Sequence, residues 1–172
     1  MPRNVEIKAR MSDQTFLVNQ AAELSSSDGC LIVQEDTFFN TPEGRLKLRQ
    51  IKGDKAQLIY YNRPDKPGPK LSDYHVTIIE NPGSLKTTLS KAYGIKGVVK
   101  KERRLYLVGQ TRVHVDSVEG LGDFMELEVV LDEDQTVDDG QKIAENLMTQ
   151  LGVKKEDLIQ GAYMDLIIKQ KS

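Results

Sequence analysis

Ionisable residues stand two apart in five segments of this chain: Glu6, Lys8 and Arg10 in VEIKAR; Arg45, Lys47 and Arg49 in GRLKLRQ; Lys101 and Arg103 in VKKERRL; Arg112, His114 and Asp116 in TRVHVDS; Glu126 and Glu128 in DFMELEV. In a β-strand, residues i and i+2 share a face, so each segment would carry an ionic face opposite an apolar one. Lysine and arginine give charge-assisted hydrogen bonds to phosphate oxygens, each worth about 1.5–3 kcal/mol. Carboxylates supply the hard oxygens that suit Mg²⁺ or Mn²⁺. Together these types suit chemistry on a phosphoanhydride chain, with cations holding the phosphates and a divalent ion polarising the attacked phosphoryl group.

For any one strand the ordinary reading is an apolar face on helices and an ionic face in water. The set as a whole is less ordinary, because the signs are segregated: cations fill the faces at 45–49 and 101–103, while 126 and 128 are both acids. Strands in this number can curl so that the ionic face points inward, as in barrels that enclose a ligand. Lys8, Arg10, Arg45, Lys47, Arg49, Lys101, Arg103 and Arg112 would then share one lumen and repel one another unless a polyanion joined them. Glu6, Asp116, Glu126 and Glu128 would be the metal ligands of that lumen.

The elements needed to position these residues are legible in the hydrophobic pattern. Strand-like alternation recurs about eight times, in VEIKARM, CLIVQEDTFFN, GRLKLRQIK, AQLIYYN, YHVTIIE, VVKKERRLYLV, TRVHVDSV and DFMELEVVL, with short Gly, Asp, Asn or Pro turns between most of them. Helical spacing appears at Leu17, Ala21 and Leu24 after Ser12 as N-cap, and at Leu85, Leu89 and Ala92 ending at Gly94. A third helix is expected over about Val137–Leu151, with Gly152 beyond it, and a fourth from about Lys155 through MDLII. NRPDKPGPKLSD, residues 62–73, reads as a surface loop between strands, and GLGD at 120–123 as a hairpin turn. The economical fold is one α+β domain over residues 1–172 built around an antiparallel sheet, with the spacing of a meander or a barrel.

Bulk composition sets bounds on function. A chain of 172 residues with 38% hydrophobic and 29% charged residues is long enough for one real core and ordinary for a globular protein. A net charge of −2 gives no support to a nucleic-acid partner. No apolar run approaches the roughly 20 residues that span a bilayer, and MPRNVEIKAR has charges where a signal peptide has an apolar core. A cytoplasmic protein with no membrane partner is therefore expected. The lone cysteine, Cys30, lies in the apolar run CLIV and is expected to be a buried, inert thiol. His75 reads as a plain strand residue, His114 as a possible substrate contact beside Arg112 and Asp116, and Tyr60, Tyr61 and Tyr106 as packing residues.

These segments, in this order, resemble the CYTH family, the triphosphate tunnel metalloenzymes, which include class IV adenylyl cyclases, thiamine triphosphatases and inorganic tripolyphosphatases. The resemblance runs from VEIK, similar to the E-x-E-x-K motif, through GRLKLR, KKERRLY and VHVDSVEGLGDFMELE, to the C-terminal AYMDLI. VDSVEGLGDFMELE looks closest to the class IV cyclase-like branch. The resemblance implies a closed antiparallel β-barrel of about eight strands with helices packed outside, enclosing a triphosphate tunnel, together with a Mg²⁺ or Mn²⁺ cofactor and a final helix folded over one mouth. It makes Glu6, Lys8, Glu126 and Glu128 the catalytic residues, the basic rows the triphosphate ligands, and Glu6, Asp116, Glu126 and Glu128 the metal ligands. Asn4 departs from the pattern, standing where the family has its first glutamate, which removes one negative charge and puts a second metal ion in doubt.

The expected function is metal-dependent hydrolysis of a small-molecule triphosphate: tripolyphosphate, thiamine triphosphate or a nucleoside triphosphate. The alternatives are a cyclase that converts ATP to cyclic AMP and pyrophosphate, and a non-catalytic polyphosphate or nucleotide binder. Hydrolysis demands least of the site, since it needs neither an adenine pocket nor alignment of a 3′-hydroxyl.

Overall fold

The structure, a computed structural model, describes residues 3–62, 68–160, 163 and 166, with residues 70 and 72 described by backbone alone. Eight strands, β1 (Arg3–Arg10), β2 (Cys30–Phe39), β3 (Arg45–Ile51), β4 (Ala56–Asn62), β5 (Lys70–Ile79), β6 (Ile95–Val108), β7 (Thr111–Val118) and β8 (Gly122–Val130), close into one barrel. The order around it is β1-β5-β4-β3-β2-β6-β7-β8, and every neighbouring pair is antiparallel. Three helices, α1 (Gln14–Ser25), α2 (Pro82–Tyr93) and α3 (Val137–Leu151), lie outside.

Alternation dictates this arrangement. On β1 the residues Val5, Ile7 and Ala9 are fully buried on the outer face, under α1 and α3, together with Val113, Met125, Leu127 and Val129 of β7 and β8. Leu17 and Ala21 of α1 and Ala144, Leu147 and Leu151 of α3 complete that core. Gly140 lets α3 lie close on the sheet, because a Cβ there would stand 2.6 Å from both Val5 Cγ2 and Leu131 Cδ2. Thr136 caps α3 through a reciprocal pair of bonds with Asp139. With the large apolar side chains taken outward, the polar members of each strand are left inside the barrel.

Inside, one end is filled by a second apolar cluster of Phe38, Ile59, Tyr61, Val99, Val118, Phe124 and Tyr163. The tight turn from β7 into β8 uses Gly120 and Gly122, whose φ of 83° and 108° side-chain-bearing residues seldom adopt. It brings the acidic row of β8 back beside β7.

Several local expectations are corrected. The N-cap of α1 is Asp13, whose carboxylate accepts from Phe16 N–H; Ser12 instead donates to Asp157. No helix starts at Lys155: a 3-10 turn over Lys155–Asp157 gives way to extended backbone at Leu158, where Ile159 N–H bonds Lys8 O along β1. Tyr163 and Leu166 are helical, and the rest of the expected final helix lies outside the described residues. Cys30 is exposed, because it opens β2 at the rim of the barrel where no helix covers it. Tyr61 and Tyr106 are buried, whereas Tyr60 is 40% exposed. β5 already begins at Lys70, within the stretch read as loop; residues 63–67 of that stretch lie outside the described residues. No helix among the described residues is long and apolar enough to cross a membrane.

Candidate functional site

The lumen holds a cavity of about 270 Å³. Six of the eight expected cations line it: Lys8, Lys47, Arg49, Lys101, Arg103 and Arg112, together with Glu6, Glu126 and Glu128. Arg10 and Arg45 do not. Both belong to inward rows but lie where their strands run past the cavity: Arg10 is exposed, its guanidinium 5.1 Å from the Phe124 ring, and Arg45 borders a small cleft with Phe38, Asn40 and Lys96.

Strand register decides which charges meet. Asp36 of β2 stands opposite Arg49 of β3 and receives two hydrogen bonds from its guanidinium, at 2.9 and 2.8 Å, while Lys47 Nζ lies 3.4 Å away. Arg103 of β6 stands opposite Asp116 of β7 and donates to both its oxygens at 2.7 Å, with a further short hydrogen bond to Glu126. Lys8 stands opposite Glu126 and pairs with it at 3.3 Å. Glu128 accepts from Asn4 Nδ2 at 3.0 Å, contacts His114 Nε2 at 2.8 Å, and has Arg112 at 3.7 Å. The lumen is thus a lattice of mutually compensating charges rather than a ring of bare cations.

Titration follows from that lattice. Burial alone would raise the Asp36 carboxyl, but Arg49 and Lys47 hold it far below the usual carboxylate range. Burial likewise opposes ionisation of Asp116 and Glu128, yet Arg103 lowers the first to about 2 and the bond and charge of His114 lower the second to about 2. Among the cations, burial and then the Arg49 charge bring Lys47 down to about 8. Burial and Arg103 push Lys101 well below the ordinary lysine value, and the same two causes lower His114.

For a divalent ion, the hard-oxygen set at the wall is Glu6, Glu128 and Asn4. Glu6 and Glu128 are directly opposed across β1 and β8, and Asn4 Oδ1 is buried without a hydrogen-bond partner. Two carboxylates and an orphan carbonyl oxygen fit one Mg²⁺ or Mn²⁺, whose remaining positions are ordinarily filled by water and phosphate oxygens. Among the described residues, no three acidic, histidine or cysteine side chains gather as a ready metal cluster. Asp116 accepts from Arg103 at both its oxygens and from Tyr163 at one of them. Glu126 lines the cavity with its oxygens turned to Lys8 and Arg103.

Sequence reasoning missed Asp36 and Tyr163. Asp36 had a usable signal, because in QEDTFF it shares the row of Gln34 and Phe38 whereas Glu35 faces outward. Tyr163, distant in sequence from every strand, had none beyond its place in AYMDLI.

A family model described as CYTH domain matches residues 2–163. Adenylate cyclase CyaB of Aeromonas hydrophila is 28% identical over 170 residues, covering 94% of this chain and 87% of that protein. Among solved structures, the PH1012 protein of Pyrococcus horikoshii OT3 superposes with a TM-score of 0.82 at 24% identity, covering 95% of this chain and 98% of its own. HpAC1 of Hippeastrum, whose structure is described as revealing a dominant triphosphatase activity, superposes with a TM-score of 0.67 at 15% identity, covering 98% and 96%. At these identities the two structures establish the shared fold.

Proposed function

The chain belongs to the CYTH domain family, and from that premise we propose that it hydrolyses a small-molecule triphosphate with the help of one divalent cation. The observation that carries this reading is the cavity lined by six cations with the opposed Glu6–Glu128 pair on its wall. Lys8, Lys47, Arg49, Lys101 and Arg103 bind the phosphate oxygens, and Arg112, 47% exposed at its side chain, meets the part of the ligand nearest solvent. Water attacks the terminal phosphorus, the bond to the bridging oxygen breaks, and orthophosphate leaves from diphosphate or a diphosphate ester. Charge accumulating on the bridging oxygen falls among fixed guanidinium and ammonium groups in a site of low dielectric, where such stabilisation is strongest. A bound Mg²⁺ or Mn²⁺, held by Glu6, Glu128 and Asn4, would supply Lewis-acid polarisation of a phosphoryl oxygen.

Hydrolysis is favoured because it demands least of the site, needing neither an adenine pocket nor alignment of a 3′-hydroxyl. The cyclase reading is kept because the curated relative is named an adenylate cyclase. Tripolyphosphate and ATP, each incubated with Mg²⁺ or Mn²⁺ and followed by phosphorus NMR, decide between them. Terminal orthophosphate is expected. Pyrophosphate with cyclic AMP would establish the cyclase, and no product in any tube would leave a binding protein.

Two further outcomes are expected. Lys47 carries its charge below about 8 and loses it above, so triphosphate affinity should be highest below that pH and decline as pH rises through it, until the bound anion no longer holds the proton. Calorimetry between pH 6.5 and 9.5 would show this, and a flat profile would remove Lys47 from the contact set. Asn4→Glu places a third carboxylate beside Glu128 and should tighten Mn²⁺ binding by roughly tenfold, read by Mn²⁺ titration in an electron paramagnetic resonance tube. Weaker binding would show that the amide oxygen is already the better ligand.

A further inference from the structure

Tyr163 is 4% exposed, and its side chain touches three separate parts of the charge lattice. Its hydroxyl donates to Asp116 Oδ2 at 2.7 Å, the same carboxylate that receives both bonds from Arg103. Lys8 Nζ stands 3.8 Å from the centre of its ring and Lys101 Nζ 5.1 Å. The ring is itself held against Phe124, centroids 5.2 Å apart, in the apolar cluster that fills this end of the barrel. Lys101 is 7% exposed, lines the cavity, and makes no ion pair within 4.0 Å among the described residues. An aromatic face attracts such an ammonium through the ring quadrupole without neutralising its charge.

We propose that Tyr163 is a positioning residue of the phosphate clamp. Its ring fixes Lys8 and Lys101, its hydroxyl fixes Arg103 through Asp116, and one side chain of the C-terminal segment thereby sets three cations for a single phosphoryl group at the closed end of the tunnel. A carboxylate in its place would compete with the ligand; the aromatic ring orders the ammonium groups and leaves their charge available. The inference rests on the triphosphate reading of the cavity. It adds that the deepest phosphate is recognised by a triad whose geometry comes from outside the barrel strands.

The test measures binding without turnover, using imidotriphosphate, in which NH replaces the bridging oxygens, by calorimetry without metal at fixed ionic strength. Wild type should bind; if it does not, the triphosphate reading itself fails and this inference with it. Tyr163→Leu, which removes ring and hydroxyl, should weaken binding by on the order of 10²-fold, as expected for a displaced multi-point clamp. Tyr163→Phe keeps the ring and should recover most of that, staying about three- to tenfold weaker than wild type for the lost hydroxyl arm. Leu166→Ala loosens the same apolar cluster without touching the cations and should leave affinity near wild type. Wild-type affinity in Tyr163→Leu would overturn the proposal while leaving the triphosphate reading standing. An equal loss in Leu166→Ala would overturn it too, by showing that packing alone is responsible. Should Tyr163→Leu not fold, Tyr163→Phe decides the hydroxyl arm, and unchanged affinity there overturns the link to Arg103.

Discussion

Asp36→Asn is expected to destabilise the fold by about 3–5 kcal/mol, the usual cost of stranding a buried partner charge, and tripolyphosphate is expected to restore much of the loss. Asp36 is 2% exposed and is the shared counter-charge of Arg49 and Lys47. Asparagine keeps the shape and one acceptor but leaves two cations in a chamber that already holds Lys101 and Arg103. For a chain of this size, such a loss lowers Tm by roughly 10 °C. A phosphate chain brings the missing negative charge, and saturation at 100 times Kd adds about 2.7 kcal/mol to any protein that binds only when folded. The upward shift of Tm with tripolyphosphate should therefore be larger in the variant than in wild type, because the ligand no longer displaces Asp36 from its cations. Equal shifts in both proteins would show that the ligand never competes with Asp36. Acid should act in the same direction in wild type. Carboxyls held low in the folded state stabilise it above their unfolded values near 4, and that contribution is lost as pH falls toward about 2, where Asp116 and Glu128 take up protons.

Asp36 also marks the limit of what alternation reveals. A period of two tells which face a residue occupies, and in β1, β3, β6, β7 and β8 that was enough to place Lys8, Lys47, Arg49, Arg103, Glu126 and Glu128 inside one closed barrel. It says nothing about depth along the barrel axis, which is set by register and stagger. Hence Arg10 and Arg45, on the right faces, miss the cavity, and Cys30, at the start of an apolar run, reaches solvent at the rim. Nor does it tell which opposite charges become partners. Asp116 is on the metal-facing row by pattern, but the β6–β7 register sets it against Arg103, so its oxygens hold a cation of the protein. Tyr163 enters from a segment with no strand periodicity, and only tertiary packing brings it to Lys8 and Lys101.

Glu128→Gln should abolish metal-dependent turnover, a loss of at least roughly 10²–10³-fold for removing a principal electrostatic element of a phosphoryl-transfer site, while lowering Tm by less than Asp36→Asn does. Glutamine preserves the shape, and its amide still offers an oxygen to Asn4 Nδ2; the cation it abandons, Arg112, is 47% exposed at its side chain and keeps water. Glu126→Gln is the informative contrast. Glu126 holds the buried Lys8 and Arg103, so its replacement should disturb stability and substrate binding as well as rate, whereas Glu128 stands opposite Glu6 with the orphan oxygen of Asn4 beside it. Mn²⁺ binding measured by electron paramagnetic resonance separates the two roles independently of turnover: it should fall in Glu128→Gln and persist in Glu126→Gln. The reverse pattern would move the ion deeper, to the carboxylate that now neutralises Lys8 and Arg103. Those two cations would then have to be released to the phosphates before the ion could bind, making metal affinity conditional on substrate.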